Sequence, residues 1–277
     1  MGSEIDPNED GHPSPRASRN WDLVLHAAII SAPVIVFTSI IVWFSQNRIS
    51  PNPTVEASAA NPLGLLTSNF VYDGSINIEN IAISSVFLLI VCLYYPKQLR
   101  IFMVYLLPFI AVAAGALAEF TAISSPYVSS PLCAQSCSFY GMSGVASATV
   151  GFTFASFLIA FGLVILQRMK GRLSIKQSTL LTGRTGLTSQ VILVSAFVVY
   201  LVLLLVFSGV IALPSSPSSS SSSSSPPPPP AILTQAPPVL LVHSASLVYG
   251  FLLCLATFVQ VNRRYHIFAP PVRQDRD

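Results

Sequence analysis

The chain has 277 residues, of which 52% are hydrophobic and only 9% are charged. A soluble domain carries roughly 25% charged residues, so this composition excludes an ordinary water-soluble globular protein. The net charge of +3 indicates little by itself, and no nucleic-acid partner is expected; where the charges lie is more informative.

Six apolar segments follow a polar N-terminal tail, residues 1–22, which lacks the features of a signal peptide. A helix needs about 20 apolar residues to cross ~30 Å of hydrocarbon. The segments that reach this length, or nearly so, are Leu23–Phe44, Ile78–Tyr95, Ile101–Ile123, Tyr140–Leu166, Val191–Leu213 and Val239–Val261. The second is the shortest and contains Ser84 and Ser85. We therefore predict an all-α membrane protein whose six transmembrane helices occupy residues 23–261, followed by a tail over residues 262–277.

The basic residues predict the orientation of these spans. Of the 14 Lys and Arg residues, 13 lie before span 1, between spans 2 and 3, between spans 4 and 5, or after span 6. Only Arg48 lies on the other side. Because Lys and Arg are retained in the cytoplasm, both termini are expected there. Two cytoplasmic ends require an even number of spans, which agrees with six, and the plasma membrane is the simplest location.

Two of the three loops expected outside carry further signals. Cys133 and Cys137 lie together in the second outer loop, where a disulfide can form, and free thiols are the alternative. They lack the second ligand pair of a zinc site, and no metal or cofactor is expected. The third loop, residues 214–238, is a run of serines followed by prolines, which predicts a linker without a core of its own.

Polar residues inside the apolar spans are the main functional signal, because they are costly in lipid and tend to mark function. Ser143 and His243 each lie about one turn into a span that enters from the outer side, and Asn80 lies near the outer start of span 2. We therefore expect the three side chains to converge just below the outer surface. Taken singly, the serine could bond its own helix, the histidine could pack or relay protons, and the asparagine could cap a helix.

The three residue types suit acyl transfer. A serine hydroxyl becomes a good nucleophile when a base takes its proton, and histidine is the commonest such base. Asn80 and the backbone N–H of Ser143 would donate hydrogen bonds to the oxyanion. Small residues support the pairing: Gly144, Ala148 and Gly151 form a stripe on span 4, and Ser246 and Gly250 share a face of span 6 with His243. Such stripes predict close approach of membrane helices.

These motifs resemble the rhomboid family of intramembrane serine proteases. The stretch from Gly141 to Gly151, with its Gly-x-Ser-Gly, is similar to the family's nucleophile segment, and the stretch from His243 to Gly250 is similar to its His-x-x-Gly-x-x-x-Gly. Asn80 matches the asparagine of the family's His-x-x-x-Asn motif, where Ile76 replaces the histidine and the adjacent Asn77 is a candidate substitute. The segment from Leu65 to Val71 resembles the family's lead into the second helix.

The resemblance implies a six-helix bundle that cleaves transmembrane segments of other proteins near the outer membrane face. Ser143 and His243 would act as a dyad in contact with the lipid bilayer. One alternative hypothesis is a catalytically silent rhomboid-like protein that binds transmembrane clients, which Ile76 favours. A second is a small transporter in which Glu119, near the outer end of span 3, carries protons or ions; the structural interpretation of Glu119 is that it bonds polar groups inside the bundle.

Overall fold

Every regular element that the computed structural model describes is a helix. The described residues are 28–29, 31–43, 47, 64–71, 75–125, 142–170, 186–207 and 237–265. Their helices, in chain order, are α1 (Ser31–Trp43), α2 (Gly64–Thr67) with a 3₁₀ turn (Ser68–Phe70), α3 (Ser75–Cys92), α4 (Lys97–Ile123), α5 (Ser143–Lys170), α6 (Gly186–Phe207) and α7 (Pro237–Tyr265). The protein is therefore all-helical over the described residues, as the apolar pattern predicts.

Three of these helices are long and apolar enough to cross a membrane. They contain the spans Lys97–Ile123, Ser143–Ile165 and Leu240–Tyr265, which correspond to predicted spans 3, 4 and 6. Three shorter apolar helices, Ser31–Trp43, Ile76–Cys92 and Gln190–Val206, lie within or overlap predicted spans 1, 2 and 5. Large apolar side chains also face outward, as in Phe109, which is 73% exposed. This combination is typical of helices that meet lipid.

Helix α5 is the central element of the bundle. It contacts α3, α4, α6 and α7, and 67% of its apolar span is buried, compared with 22% for α7. Its buried hydroxyl groups bond carbonyl oxygens: Thr149 Oγ1 donates to Val145 O (2.8 Å) and Ser156 Oγ to Phe152 O (2.9 Å). Since hydrocarbon offers no hydrogen-bond partners, a central helix can carry such hydroxyls only when they are satisfied within the protein.

The two serines of the second predicted span face the protein interior. Ser84 and Ser85 are both buried, and Ser84 Oγ hydrogen-bonds Tyr200 OH of α6 (3.0 Å). The Ser84 carbonyl accepts a hydrogen bond from Thr153 Oγ1 of α5 (3.1 Å). Next to this contact, the rings of Phe87, Phe157 and Tyr200 pack with centroids 5.2–6.4 Å apart. Polar and aromatic contacts thus join α3, α5 and α6.

The turn between α3 and α4 is closed by a buried arginine. Arg100 is 3% exposed; its Nε donates to Cys92 O (2.9 Å) and its Nη2 to Tyr95 O (2.9 Å). These carbonyls follow or end α3, where an α-helix leaves its last C=O groups without partners inside the helix. A cation is favourable at that end of the helix dipole. Arg100 therefore fixes α3 and α4 as adjacent helices joined by a short turn.

Candidate active site

Helices α5 and α7 meet through backbone contact at two glycines. A Cβ added at Gly151 would overlap the carbonyl oxygen of Leu247, and one added at Gly250 would overlap the carbonyl oxygen of Ala148. No side chain larger than hydrogen fits at either position without moving one of the helices. The small-residue faces predicted on spans 4 and 6 therefore form a tight helix pair. Gly144 lies near Ser246 and, four residues further along both helices, Ala148 lies near Gly250, as expected of helices that run in the same direction.

The register of this pair sets the levels of Ser143 and His243. Near the N-terminal ends of both helices, the Cβ position of Gly144 lies 3.5 Å from Ser246 Oγ. Counting at about 1.5 Å per residue, Ser143 lies about 1.5 Å and His243 about 4.5 Å from this contact, both toward the helix N-termini. Their levels therefore differ by about 3 Å along the helix axes. Both residues are half-buried.

The segment formed by residues 64–71 is bonded to two helices beside Ser143. Ser68 Oγ donates to Glu119 Oε2 of α4 at 2.6 Å, and both side chains are buried. The backbone N–H of Met142, the residue before Ser143, donates to Val71 O at 3.1 Å. The segment thus connects α4 to the start of α5. Glu119 therefore bonds a polar group inside the bundle, which agrees with its structural interpretation.

Asn69 of this segment lies between two glycines. Its side chain is fully buried, its Oδ1 occupies the space that a Cβ of Gly115 would take, and the same oxygen lies 3.3 Å from the Cβ position of Gly144. Asn69 Nδ2 donates to Leu65 O (2.7 Å), whereas Oδ1 has no hydrogen-bond partner. Ser246 Oγ, on the α7 side of Gly144, is likewise buried without a partner.

The two candidate oxyanion asparagines lie deeper than Ser143. Helices α3 and α5 are in register where Thr153 Oγ1 bonds Ser84 O. Counting outward from that contact at about 1.5 Å per residue, Asn80 lies about 9 Å and Asn77 about 4.5 Å below the level of Ser143. Asn80 is half-buried, and its Oδ1 has no hydrogen-bond partner. The assignment of either residue as an oxyanion donor stays a prediction, and the register favours Asn77.

Several predicted features lie outside the described residues. They are Gly141, the cysteines Cys133 and Cys137, the tail 1–22, and most of the predicted loop 214–238 and tail 262–277. The structure corrects the bounds of the last two, because α7 already begins at Pro237 and continues to Tyr265. Cys92 and Cys254, which the structure does describe, are buried free thiols. Within the described part of the chain, no group of three or more His, Cys, Asp or Glu side chains is arranged to hold a metal ion.

Sequence reasoning did not single out Asn69 as a site residue. The segment from Leu65 to Val71 was noted for its family resemblance, but its asparagine lies outside the apolar spans, where polar residues carry no special signal. The pairing of Asn69 with Gly115 depends on how the segment folds back onto α4, which no local pattern encodes. The available clue was Gly115 itself, which lies in the alanine-rich stretch of residues 111–118 in α4.

No protein-family model, no curated protein and no solved structure matches the chain. What the site does must therefore follow from its own residues and contacts.

Proposed function

We propose that the protein is a six-span intramembrane serine protease of the rhomboid type, with Ser143 as nucleophile and His243 as general base. The observation that carries this proposal is the parallel contact between α5 and α7 at Gly144 and Ser246. That contact sets both residues at the same end of one helix pair, at levels about 3 Å apart. Proton transfer requires the two side chains to come within hydrogen-bond reach, and their position at the same end of one helix pair favours this.

The reaction follows from the chemistry of the two side chains. Ser143 Oγ attacks the carbonyl carbon of the scissile peptide while His243 accepts the hydroxyl proton. The tetrahedral intermediate collapses, the C–N bond breaks, and His243 gives the proton to the leaving amine. A water molecule, deprotonated by His243, then attacks the acyl ester, releases the new carboxyl terminus and restores the Ser143 hydroxyl. The dyad needs no metal or cofactor for these steps.

The start of α5 supports an oxyanion site. The N–H groups in the first turn of an α-helix have no acceptor within the helix, and the helix dipole favours negative charge there. Ser143 is the first residue of α5, so its own N–H belongs to that turn. Asn77 or Asn80 would add a side-chain donor from α3. Pre-oriented donors of this kind typically contribute ~10²–10³-fold to the rate of acyl transfer.

Helix directions support the six-span arrangement. Helices α3, α5 and α7 are predicted spans 2, 4 and 6. Ser84 and Phe87 of α3 contact Thr153 and Phe157 of α5, and Gly144 and Ala148 of α5 lie near Ser246 and Gly250 of α7, as expected of helices that run in one direction. A chain that crosses a membrane six times requires this of its even-numbered spans. With the charge distribution, it favours cytoplasmic termini and a site near the outer face of the cell membrane. Substrates would be transmembrane segments that unwind easily, because the peptide bonds of a stable helix are shielded.

The residues of α3 near the site favour the alternative function, a catalytically inactive protein that binds transmembrane clients. Ile76 is 50% exposed at the start of α3. Counting from the bond between Thr153 and Ser84, we expect Asn80 to lie below the level of Ser143. A fluorophosphonate probe distinguishes the two functions, because it reacts with a serine that a neighbouring base activates. Labelling that is lost in Ser143→Ala supports the protease, whereas a wild-type protein that takes no label supports the silent alternative.

The direct test is cleavage of a reporter transmembrane substrate by the purified protein in liposomes. Ser143→Ala and His243→Ala are each expected to lower cleavage by about 10³-fold or more, since members of a catalytic unit act together. Ser147→Ala, one turn deeper on α5, is the matched control and should retain wild-type cleavage. Cleavage that persists in Ser143→Ala would reject the protease assignment.

A further inference from the structure

Asn69 fills a notch between two helices directly beside the proposed nucleophile. Its Oδ1 takes the place of a Cβ at Gly115 of α4 and lies 3.3 Å from the Cβ position of Gly144, while Gly115 Cα lies 3.4 Å from that same position. The backbones of α4 and α5 therefore approach closely at this level. The side chain of Asn69, called the wedge below, packs beside this direct backbone contact where α5 begins.

Hydrogen bonds hold the side chain of Asn69 and the residues on both sides of it in the chain. Asn69 Nδ2 donates to Leu65 O (2.7 Å), which fixes the plane of its carboxamide. The preceding residue, Ser68, bonds Glu119 of α4 at 2.6 Å. Two residues after Asn69, Val71 O accepts the N–H of Met142 at 3.1 Å, and Met142 O accepts the N–H of Ala146 at 2.8 Å as the first bond of α5. Asn69 thus lies within a network that ends at the residue before Ser143.

The chemistry of Asn69 indicates a role beyond packing. A buried oxygen without a hydrogen-bond partner is unfavourable, and such groups in native proteins call for an explanation. Asn69 Oδ1 is of this kind, and so is Ser246 Oγ, which lies 3.5 Å from the same Cβ position of Gly144. Two unfavourable polar groups flank the second residue of α5. Local features of this type concentrate at functional sites, where geometry is kept at the expense of stability.

We propose that Asn69 is a positioning residue for Ser143. By filling the notch between Gly115 and Gly144, it fixes the first turn of α5, and with it the direction of the Ser143 hydroxyl and of the N–H that faces the oxyanion. Asn69 itself does not contact the reacting atoms. The inference rests on the proposed function, because it assumes that Ser143 is the nucleophile.

The test measures rate and binding separately. In liposomes, Asn69→Ala is expected to lower kcat for the reporter substrate by about tenfold or more, because a displacement of ~1 Å can cost 10²-fold, with KM changed less than about twofold. The rate of fluorophosphonate labelling at Ser143 should fall in parallel. The final extent of labelling should equal that of the wild type, which shows that the variant is folded.

A second substitution tests the notch itself. Gly115→Ala places a methyl group on the Asn69 oxygen, so kcat should fall as in Asn69→Ala. In the double variant the methyl partly fills the vacated space, and kcat should recover above either single variant, since residues in contact do not act additively. Gly162→Ala, whose Cβ meets nothing within 4 Å, and Ser85→Ala, a buried hydroxyl on α3, are the controls and should keep wild-type kcat.

The possible outcomes separate the two proposals. Two results would overturn the positioning role, provided that Ser143→Ala still abolishes cleavage. One is a wild-type kcat in both Asn69→Ala and Gly115→Ala. The other is a double variant in which the two losses of kcat multiply and no recovery is seen. If a single variant yields no labelled protein, the double variant is measured instead. Restored labelling and kcat in the double variant support the positioning role of Asn69, and their absence overturns it. Cleavage that survives Ser143→Ala refutes the proposed function itself.

Discussion

At the scale of single residues, two kinds of polar group in or near the predicted spans have structural roles that the tertiary contacts reveal. Ser84 and Ser85 lower the hydropathy of the second predicted span, yet both are buried and Ser84 bonds Tyr200. Arg100 contributes to the cytoplasmic charge count, but its guanidinium is buried against the end of α3, where it bonds two carbonyl oxygens. Arg100 thus contributes to the charge pattern that predicts the topology and also stabilises the turn between α3 and α4.

The two candidate oxyanion donors are distinguished at this scale. Because Asn77 lies about 4.5 Å and Asn80 about 9 Å below Ser143, Asn77→Ala is expected to lower kcat by roughly 10²-fold and Asn80→Ala by much less. The measurement is kcat in liposomes with the reporter substrate, and thermal unfolding shows whether each variant is folded. A larger loss in Asn80→Ala would support the assignment that the family resemblance implies.

At the scale of elements, the pair formed by α5 and α7 controls the site. Its contact is made by backbone atoms at Gly151 and Gly250, so the distance between the helices depends on the absence of two Cβ atoms. The segment formed by residues 64–71 adds a second restraint, because it bonds α4 and the start of α5. The level of Ser143 relative to His243 therefore depends on three elements that are distant in sequence.

Gly151→Ala and Gly250→Ala test this contact. Each methyl group would overlap a carbonyl oxygen of the opposite helix, and overpacking of this kind costs about 1–3 kcal/mol. We expect lower thermal stability together with reduced cleavage, measured in the same detergent and liposome preparations. Gly162→Ala, in open space on the same helix, should be neutral or slightly stabilising. Equal behaviour of all three variants would contradict the tight pair.

At the scale of the whole molecule, the charge distribution predicts cytoplasmic termini and an even number of spans, and the helix directions agree with that prediction. Thirteen of the 14 basic residues lie on one side of the predicted spans. The contacts of α3, α5 and α7 fit helices that run the same way, as alternate spans must. Buried contacts are concentrated on α5, whereas apolar side chains of α4 and α7 face outward. These exposed apolar surfaces agree with the three helices that are long and apolar enough to cross a membrane.

Topology mapping of the full chain tests this arrangement. Short epitope tags at the N-terminus and the C-terminus should be protected from protease added outside intact cells, and a tag inserted at residue 220 should be cleaved. The tagged proteins must retain cleavage of the reporter substrate, which shows that they are inserted correctly. Access to either terminal tag from outside would contradict the even number of spans.

The amino-acid sequence by itself determined the membrane character, the helical class and the approximate limits of the helices, because the hydrophobic effect and the need to satisfy backbone hydrogen bonds act on local composition. It also indicated the small-residue faces of spans 4 and 6, since residues three and four apart share a helix face. Only the tertiary structure decided which polar groups of different helices lie at the same level along the helix axes. The offset of Asn80, the bond between Ser68 and Glu119, and the wedge of Asn69 depend on helix register and on a segment that folds back onto α4. Register and chain reversal are set by packing between distant residues, so no pattern within one span contains them.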